Sequence, residues 1–496
     1  MTPSQRCKGW ELIRLAERSF FRAPHSPTAR AVFDSTEGRW FNRSELLDRI
    51  SACIGTFRFR QKAFGFLFPL NNISSLSFYL AAMEAGHAVT TLNPELDPIF
   101  RDELINRFQP DFIVAPVPQP GESAWIHGNR YGKPESVDSN MLMWTAPEPH
   151  QYAVHPDLAL LISTSGSTGS PRFVRLSFEN LLRNAEQINV ALNNSEADCA
   201  VLTTPMFNGH GQSVINTNLL AGGRFVLTRE RIVSPTFWDS VRFCGCNSIG
   251  GTPYFYQVLD RLDLESLNVP QLKKFVQTGG RLPEDLTRRL YGIIAKRGGA
   301  LHVMYGQAEA TARISGLPPE LLPDAARSVG FALSGGSLSV RRAEPAGYSL
   351  NRGPGEDGEL IYEGPNVMMG YGTCPEDLAA GDLLHGVLAT GDLGHYDDRG
   401  LFYITGRKAR FVKLFGWRVN LDDVEEMLTS AGQPVAVIGQ GERVLVFHEG
   451  GTSEIAARVI EAAARLRLHP SGFEIRAIPC IPRLPNGKTD YRSLIS

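Results

Sequence analysis

Short apolar runs separated by polar, glycine-containing turns recur along the chain. Phe64–Pro69 and Phe112–Ala115 are apolar at successive positions, the pattern of strands buried on both faces, and Val89–Leu92 reads as a further strand ended by Asn93-Pro94. Between them, Ser74–Gly86 repeats apolar residues at Leu76, Tyr79, Leu80 and Met83, one face of a helix, and Ile99–Phe108 reads as a second helix. Upstream, the pattern predicts an N-terminal helix, a strand pair around Arg30–Phe33 and Arg39–Phe41, and a helix opened by Asn42 or Ser44. Residues 116–155, rich in Pro, Gly and Ser, read as a loop-like excursion. Beyond it, Leu158–Ile162 is a strand, and Ser177 caps a helix Phe178–Leu192 with Leu181, Leu182, Ala185, Ile188 and Leu192 on one face. Val201–Pro205, Phe225–Leu227, Ser248–Gly250 and Phe275–Thr278 are further strands. Such alternation predicts parallel sheets covered by helices. Near the end, Asp422–Ser430 and Ser453–Leu466 read as helices, and Val435–Ile438 and Val444–His448 as strands.

Composition narrows the possible partners. The chain has 496 residues, a formal net charge of −2 and 43% hydrophobic residues, enough for two or three domains with large cores. A near-neutral balance gives no footing for nucleic acid or a membrane surface. No apolar run approaches the roughly 18 residues of a spanning helix, and the first residues lack a signal-peptide core, so a cytoplasmic protein is expected. Seven cysteines are scattered, an odd number that fits reduced thiols. Cys244 and Cys246 form a C-x-C without a second pair, which reads better as buried apolar cysteine than as a metal site.

The chemistry concentrates first after the strand Leu158–Ile162. Thr164, Ser165, Gly166, Ser167, Thr168, Gly169, Ser170, Pro171 and Arg172 are nearly all hydroxyl or glycine. Glycines bring backbone N–H groups close to a ligand, hydroxyls add rotatable donors, and Arg172 adds positive charge. This is a nest for an anion, and a phosphate-bearing ligand is its natural occupant. A Ser/Gly linker is the alternative, against which the flanking apolar strands argue. The spacing is not that of the mononucleotide P-loop.

The loop resembles the phosphate loop of the adenylate-forming acid ligases: acyl-CoA synthetases, firefly luciferase and the adenylation domains of peptide synthetases. Their pattern is roughly T-S-G-[S/T]-T-G-x-P-K, with Arg172 here in place of lysine. More of that family's motifs follow in order. Met206-Phe207-Asn208-Gly209-His210-Gly211 stands where the family often has P-x-F-H-x-x-G, which implies an acid pocket at Asn208, His210 and Met304; a structural histidine is the alternative for His210. Gln277-Thr278-Gly279-Gly280-Arg281 matches the segment that lines adenine, or is a plain strand-to-helix turn. The stretch from His302 to Arg313, HVMYGQAEATAR, resembles Y-G-x-T-E. By that resemblance Tyr305 and Gly306 meet adenine and Glu309 holds Mg²⁺ against the phosphates. Ala308 replaces a threonine that touches the α-phosphate, and Thr311 is a nearby substitute.

Gly358-Glu359-Leu360 and Gly370-Tyr371 resemble the family's β-rich subdomain. Thr390-Gly391-Asp392 implies a carboxylate on the ribose hydroxyls, with an Asx-turn as the alternative. Gly406-Arg407-Lys408-Ala409-Arg410 resembles the junction between a large and a small domain, with Arg407 reaching ribose or phosphate and Ala409 at the hinge; Lys413 and Gly416 follow. Pro482-Arg483-Leu484-Pro485-Asn486-Gly487-Lys488 resembles the loop of the catalytic lysine, which implies that Lys488, Glu309 and Arg172 carry the chemistry. A solvated surface lysine is the alternative at Lys488.

The resemblance implies an α/β fold: a large N-terminal AMP-binding domain, 1–406, of parallel-sheet α/β subdomains plus a β-rich subdomain, and a small mobile C-terminal α/β lid, 407–496. It implies activation of a small carboxylic acid with ATP and Mg²⁺ to an acyl-adenylate, with release of pyrophosphate. Transfer to a thiol follows, with CoA as the default co-substrate. An amine or amino acid, making an amide, and a carrier-protein thiol remain open as acceptors.

Overall fold

The computed structural model describes residues 19–21, 26–118, 131–138, 140–148, 150, 152–163, 172–344, 347–408, 410–414, 417–429, 434–441, 443–466, 468–484 and 487–494. The expected N-terminal helix, Thr164, Ser165, Gly166, Ser167, Thr168, Gly169, Ala409 and Gly416 lie outside them. The chain divides into two compact units. The first is Met1–Ala326, Ala332–Ser337 and Glu363–Leu388; the second is Arg327–Phe331, Leu338–Tyr362 and Ala389–Ser496.

In the first unit, the apolar runs read from the sequence become the parallel centre of one sheet. Leu158–Ser163, Ala88–Thr91, Phe64–Leu67 and Phe112–Pro116 lie side by side and parallel. Phe173–Ser177 pairs antiparallel at one side, with Gly370–Gly372 beyond it. Met141–Thr145 pairs antiparallel with Phe112–Pro116 at the other, followed by Glu135–Ser136. The 116–155 excursion therefore contains two strands, a correction to the loop reading. Met141, Met143 and Trp144 are buried by that pairing, but so short a run amid Pro, Gly and Ser carries little periodic signal.

A second set of parallel strands in this unit runs Arg30–Asp34, Arg224–Leu227, Cys199–Val201, Ser248–Gly251, Lys274–Gln277 and Ala300–Tyr305. Arg39–Asn42 and Ser315–Leu317 close its two sides antiparallel. The helix Ile73–Glu84 is buried from Ile73 to Met83 without interruption, as a helix apolar on every side must be. It shares one core with both sheets and with the helices Phe178–Leu192 and Gly209–Ala221. Helix Gly209–Ala221 has no clear apolar stripe, because it buries Gln212, Asn216, Thr217 and Asn218 along with its aliphatic residues.

The first part of the second unit is a sheet in which Gly347–Asn351 pairs antiparallel with Ser337–Glu344, and Phe402–Arg407 antiparallel with both Val387–Tyr396 and Ser328–Ala332. Its strand order is Gly347–Asn351, Ser337–Glu344, Gly358–Glu363, Val387–Tyr396, Phe402–Arg407, Ser328–Ala332, over a core of Val340, Leu360 and Phe402. The rest is a ribbon of Phe411–Leu414 with Trp417–Asn420, and a three-stranded sheet of Val435–Gln440, Arg443–His448 and Phe473–Ala477. Helices Leu421–Leu428 and Thr452–Arg465 pack on it through Val424, Leu428, Ile455 and Val459.

One buried histidine ties the first sheet to the acid limb of the stability curve. His87 Nδ1 accepts the Ala63 N–H at 3.1 Å, and its ring meets Phe57 and Phe59 edge-on. Burial, then the Lys62 charge, push its pKa down to about 4, with Asp111 opposing. The unfolded chain therefore binds this proton near pH 6.5 and the folded chain only near 4. The stability involved is complete above about 6.5 and is lost as pH falls toward 4, at up to roughly 1.4 kcal/mol per pH unit. Urea midpoints of the wild type and His87→Gln should converge between pH 7 and 4.5. Parallel curves would contradict the buried neutral ring.

Candidate active site

The strand Ala300–Tyr305 must reverse into Ser315–Leu317, whose register sets Tyr305 opposite Ser315. The nine intervening residues form no regular ladder, so their backbone groups need other partners. Gly306 allows the tightest approach: a Cβ there would lie 2.1 Å from the Ala312 carbonyl oxygen. Ala308–Ala310 make one 3₁₀ turn. Thr311 then takes φ 65° and ψ −61°, and the Ala312 N–H bonds the Ala310 carbonyl at 2.7 Å. This is the strained, uncommon hand of γ-turn.

Two buried asparagines hold the turn. Asn366 Nδ2 donates to the carbonyls of Ala310 at 2.8 Å and Arg313 at 3.0 Å. Its own carbonyl accepts the Thr311 hydroxyl at 2.7 Å. Asn184, on helix Phe178–Leu192, accepts the Arg313 N–H and donates to the Arg313 carbonyl. Thr311 is buried and its hydroxyl donates within this clamp, so the structure assigns it a role in the turn and not the ligand contact suggested as a stand-in at Ala308.

Glu309 and Arg172, read from separate motifs, meet on one tyrosine. The Tyr371 hydroxyl donates to Glu309 Oε1 at 2.8 Å, and the Arg172 guanidinium carbon lies 4.8 Å from the Tyr371 ring centroid. Burial, with the Glu309 charge, pushes the Tyr371 phenol well up, so it stays protonated and remains the donor. Tyr371 itself is fixed by pairing opposite Val174 and by Arg175. That fully buried guanidinium donates to the carbonyls of Tyr371, Met369, Gly381 and Ala380. Sequence reading marked Gly370-Tyr371 as a motif and gave Tyr371 no role; its link to Glu309 depends on a contact 62 residues apart. Among the described residues no three His, Cys, Asp or Glu side chains gather as a metal site. Glu309 offers one carboxylate, which suffices for Mg²⁺ that takes its other ligands from phosphates and water.

Four residues beyond Glu309 the same turn reaches a cavity of about 40 Å³, whose lining includes His210, Met304, Arg313, Ile188 and Val276. Asn208 is not part of that lining; it stands just before helix Gly209–Ala221, with its Nδ2 buried and unbonded. His210 Nε2 lies where a Cβ on Gly250 would touch it at 3.3 Å. Burial, then the Arg313 charge, push the His210 imidazole down to about 3, so it is neutral at working pH.

Gln277 Nε2 donates to the Gly280 carbonyl at 2.7 Å, and Gly279 takes φ 82°, which shapes the turn of Gly279, Gly280 and the exposed Arg281. In the second unit, Asp392 is 3% exposed and lies directly opposite Arg407 in the strand pairing. Arg407 Nε donates to Asp392 Oδ1 at 3.0 Å. Beside this pair Lys408 Nζ donates to the buried Glu359 at 2.9 Å. Lys488 is exposed on a loop closed by the Leu484 N–H to Lys488 carbonyl bond and the Gly487 N–H to Leu484 carbonyl bond.

The family model described as AMP-binding enzyme matches residues 20–372, more than half of the chain. The chain belongs to this family, the adenylate-forming acid ligases. This AMP-binding enzyme is 28% identical over 353 residues to sulfoacetate–CoA ligase of Cupriavidus necator, covering 68% of this chain and 67% of that one. The share of the relative covered falls to 61% for long-chain-fatty-acid–CoA ligase of Bacillus subtilis, at 27% identity over 362 residues. The amide bond synthetase McbA from Marinactinospora thermotolerans superposes with a TM-score of 0.73 over 97% of this chain and 98% of its own, at 18% identity. Likeness at that identity speaks for the fold, which is the α/β class expected from the sequence. The matched segment ends at Gly372, so Asp392, Arg407 and Lys488 lie beyond it. Among the described residues no helix is long and apolar enough to cross a membrane.

The turn makes its own prediction. Gly306→Ala should destabilise the AMP-binding enzyme by about 1–3 kcal/mol, since the obstruction is backbone. Gly292→Ala, in a helix where the added Cβ meets nothing within 4 Å beyond its chain neighbours and the helix's own backbone, should be neutral or stabilise by about 0.5–1 kcal/mol. Denaturant midpoints check the pair; equal shifts would mean the turn tolerates movement.

Proposed function

We propose that the chain activates a small carboxylic acid with ATP and passes the acyl group to a thiol, CoA by default. The observation that carries this reading is that one clamped turn holds Glu309 at one end and lines a cavity with Arg313 at the other. A phosphate-handling group and an acid-binding cavity thus share one piece of backbone. Relatives named as CoA ligases support the thiol. The structural neighbour named as an amide bond synthetase keeps the amine acceptor as the second reading. A carrier-protein thiol stays a third option, and the cytoplasm is the proposed location.

In the first step a carboxylate oxygen of the acid attacks the α-phosphorus, and the bond to the β-phosphate oxygen breaks to release pyrophosphate. Arg172 and the 164–169 loop neutralise that leaving group. Mg²⁺ on Glu309 adds positive charge there when bound. Tyr371 orients the Glu309 carboxylate and takes the face of Arg172. Asp392 accepts the ribose hydroxyls, paired with Arg407, while Tyr305, Gly306 and the Gly279–Arg281 turn meet adenine. Lys488 stabilises charge between the acid and the α-phosphate. In the second step the thiol sulfur attacks the acyl carbon, AMP leaves, and the thiol proton goes to solvent.

A domain boundary at Gly406/Arg407 has a physical basis. Arg407 is fastened to Asp392, and the Lys408 N–H to the Gly391 carbonyl. Arg410 is fastened instead to Asp422 and Glu425 of helix Leu421–Leu428, with Glu425 also held by Tyr491. The change of attachment is complete within three residues, which supports a hinge in the stretch from Gly406 to Arg410.

The test uses the two half-reactions separately. Lys488→Ala should lower acid-dependent pyrophosphate release by roughly 10²–10³-fold, as for loss of one preorganised donor. Transfer from pre-made acyl-AMP should fall much less, with the product identified by mass in the presence of CoA or of amines. Near-normal pyrophosphate release by the variant would remove Lys488 from the step. An amide product, with CoA without effect, would replace the thiol reading by the amine one.

A further inference from the structure

Arg313 is a buried charge whose needs the described residues do not meet. It is 5% exposed, and among the described residues its guanidinium makes one hydrogen bond, from Nη1 to the neighbouring Ala312 carbonyl at 3.0 Å. Its buried Nε has no partner. Asp198 also lines the cavity, but it is committed to Lys274 at 3.0 Å, to Asn247 at 3.2 Å and to the Ser195 N–H. Burial draws the Arg313 pKa down only to about 10, so the side chain is charged at neutral pH. A buried cation without a counter-ion is strongly unfavourable for folding. Yet the backbone that carries it is pinned through both its N–H and its carbonyl by Asn184 and Asn366. The second unbonded atom in the same lining is His210 Nδ1.

We propose that Arg313 binds a second anionic group on the acid substrate, a carboxylate or a comparable small oxyanion remote from the carboxyl that is activated. The proposal rests on the adenylation reading above and names the substrate class for that site. A guanidinium matches a carboxylate with a planar two-donor fork. The apolar walls contributed by Ile188, Leu192, Val276 and Met304 lower the local dielectric, which strengthens the attraction. By the measure in which one water takes roughly 10–15 Å³, a cavity of about 40 Å³ has room for a carboxylate on a short stem. His210, neutral and with Nδ1 unbonded, adds a polar contact and no competing charge. An uncharged acyl tail would leave the guanidinium buried and unpaired, so the same residue rejects the simple monoacid.

The test compares matched acids on the full chain: butyrate with succinate, hexanoate with adipate, and 3-sulfopropionate for the sulfonate. Acid-dependent exchange of pyrophosphate into ATP gives kcat/KM for each. At one or more lengths the dianion should be preferred by roughly 10- to 100-fold, the range of a charged hydrogen bond. Arg313→Met should collapse that ratio toward one or invert it, and Arg313→Lys should recover part of it. A wild-type ratio near or below one at every length overturns the proposal, and this needs no variant to fold. So does a ratio that Arg313→Met leaves unchanged. If no acid supports exchange, the adenylation reading fails, and thermal shift with the same acids decides the subsite. Stabilisation by a dianion but not its monoacid, abolished in Arg313→Met, supports the site; its absence in the wild type overturns it.

Discussion

Two buried asparagines hold the backbone that the site depends on. Residues 306–314 leave a parallel strand and must return beside it, and no ladder is available to their polar groups. Asn184 and Asn366 supply the missing partners from a helix and from a distant loop. They sustain a γ-turn at Thr311 that a free chain would avoid. Because the strain is confined to one residue and the carbonyls of Ala310 and Arg313 are both held by asparagine side chains, the two ends of the turn are fixed relative to each other. Glu309 and Arg313 are therefore held four residues apart in a single rigid geometry.

That rigidity explains the division of labour. At the Glu309 end the surroundings are polar: a tyrosine donates to the carboxylate and lies under a guanidinium. At the Arg313 end apolar walls from Ile188, Leu192, Val276 and Met304 stand beside polar groups such as Asp198 and His210. Charge is treated differently at each. Glu309 is partnered by the Tyr371 hydroxyl, whereas Arg313 is desolvated and left to be matched by what enters. In the second unit the same device recurs in reverse, with the buried carboxylate Asp392 met by Arg407 and the buried Glu359 by Lys408.

Much of the fold was legible because strands such as Phe64–Leu67, Phe112–Pro116 and Leu158–Ser163 are buried on both faces and read as near-continuous apolar runs. Helix Phe178–Leu192 was legible for the opposite reason, a clean apolar stripe with a serine cap. Helix Gly209–Ala221 was not, since burying its asparagines and threonine erases the periodicity. The strand Met141–Thr145 was hidden by its turn-rich flanks. Of the site, the motifs marked Glu309, Arg172, Asp392 and Arg407, but not that Tyr371 joins the first two or that strand register pairs the last two. Arg313 stood at the end of a quoted motif with no role. Nothing in a sequence distinguishes a solvated arginine from one buried without a counter-ion; that difference exists only once the turn is folded.

The central claim, that a carboxylate oxygen of the acid becomes bonded to the α-phosphorus, can be followed atom by atom. An acid labelled with ¹⁸O in its carboxylate would be incubated with the full chain, ATP, Mg²⁺ and CoA, and the nucleotide product weighed. The account predicts AMP carrying one ¹⁸O, in step with pyrophosphate release. Label in orthophosphate together with ADP, or AMP without label, would contradict it.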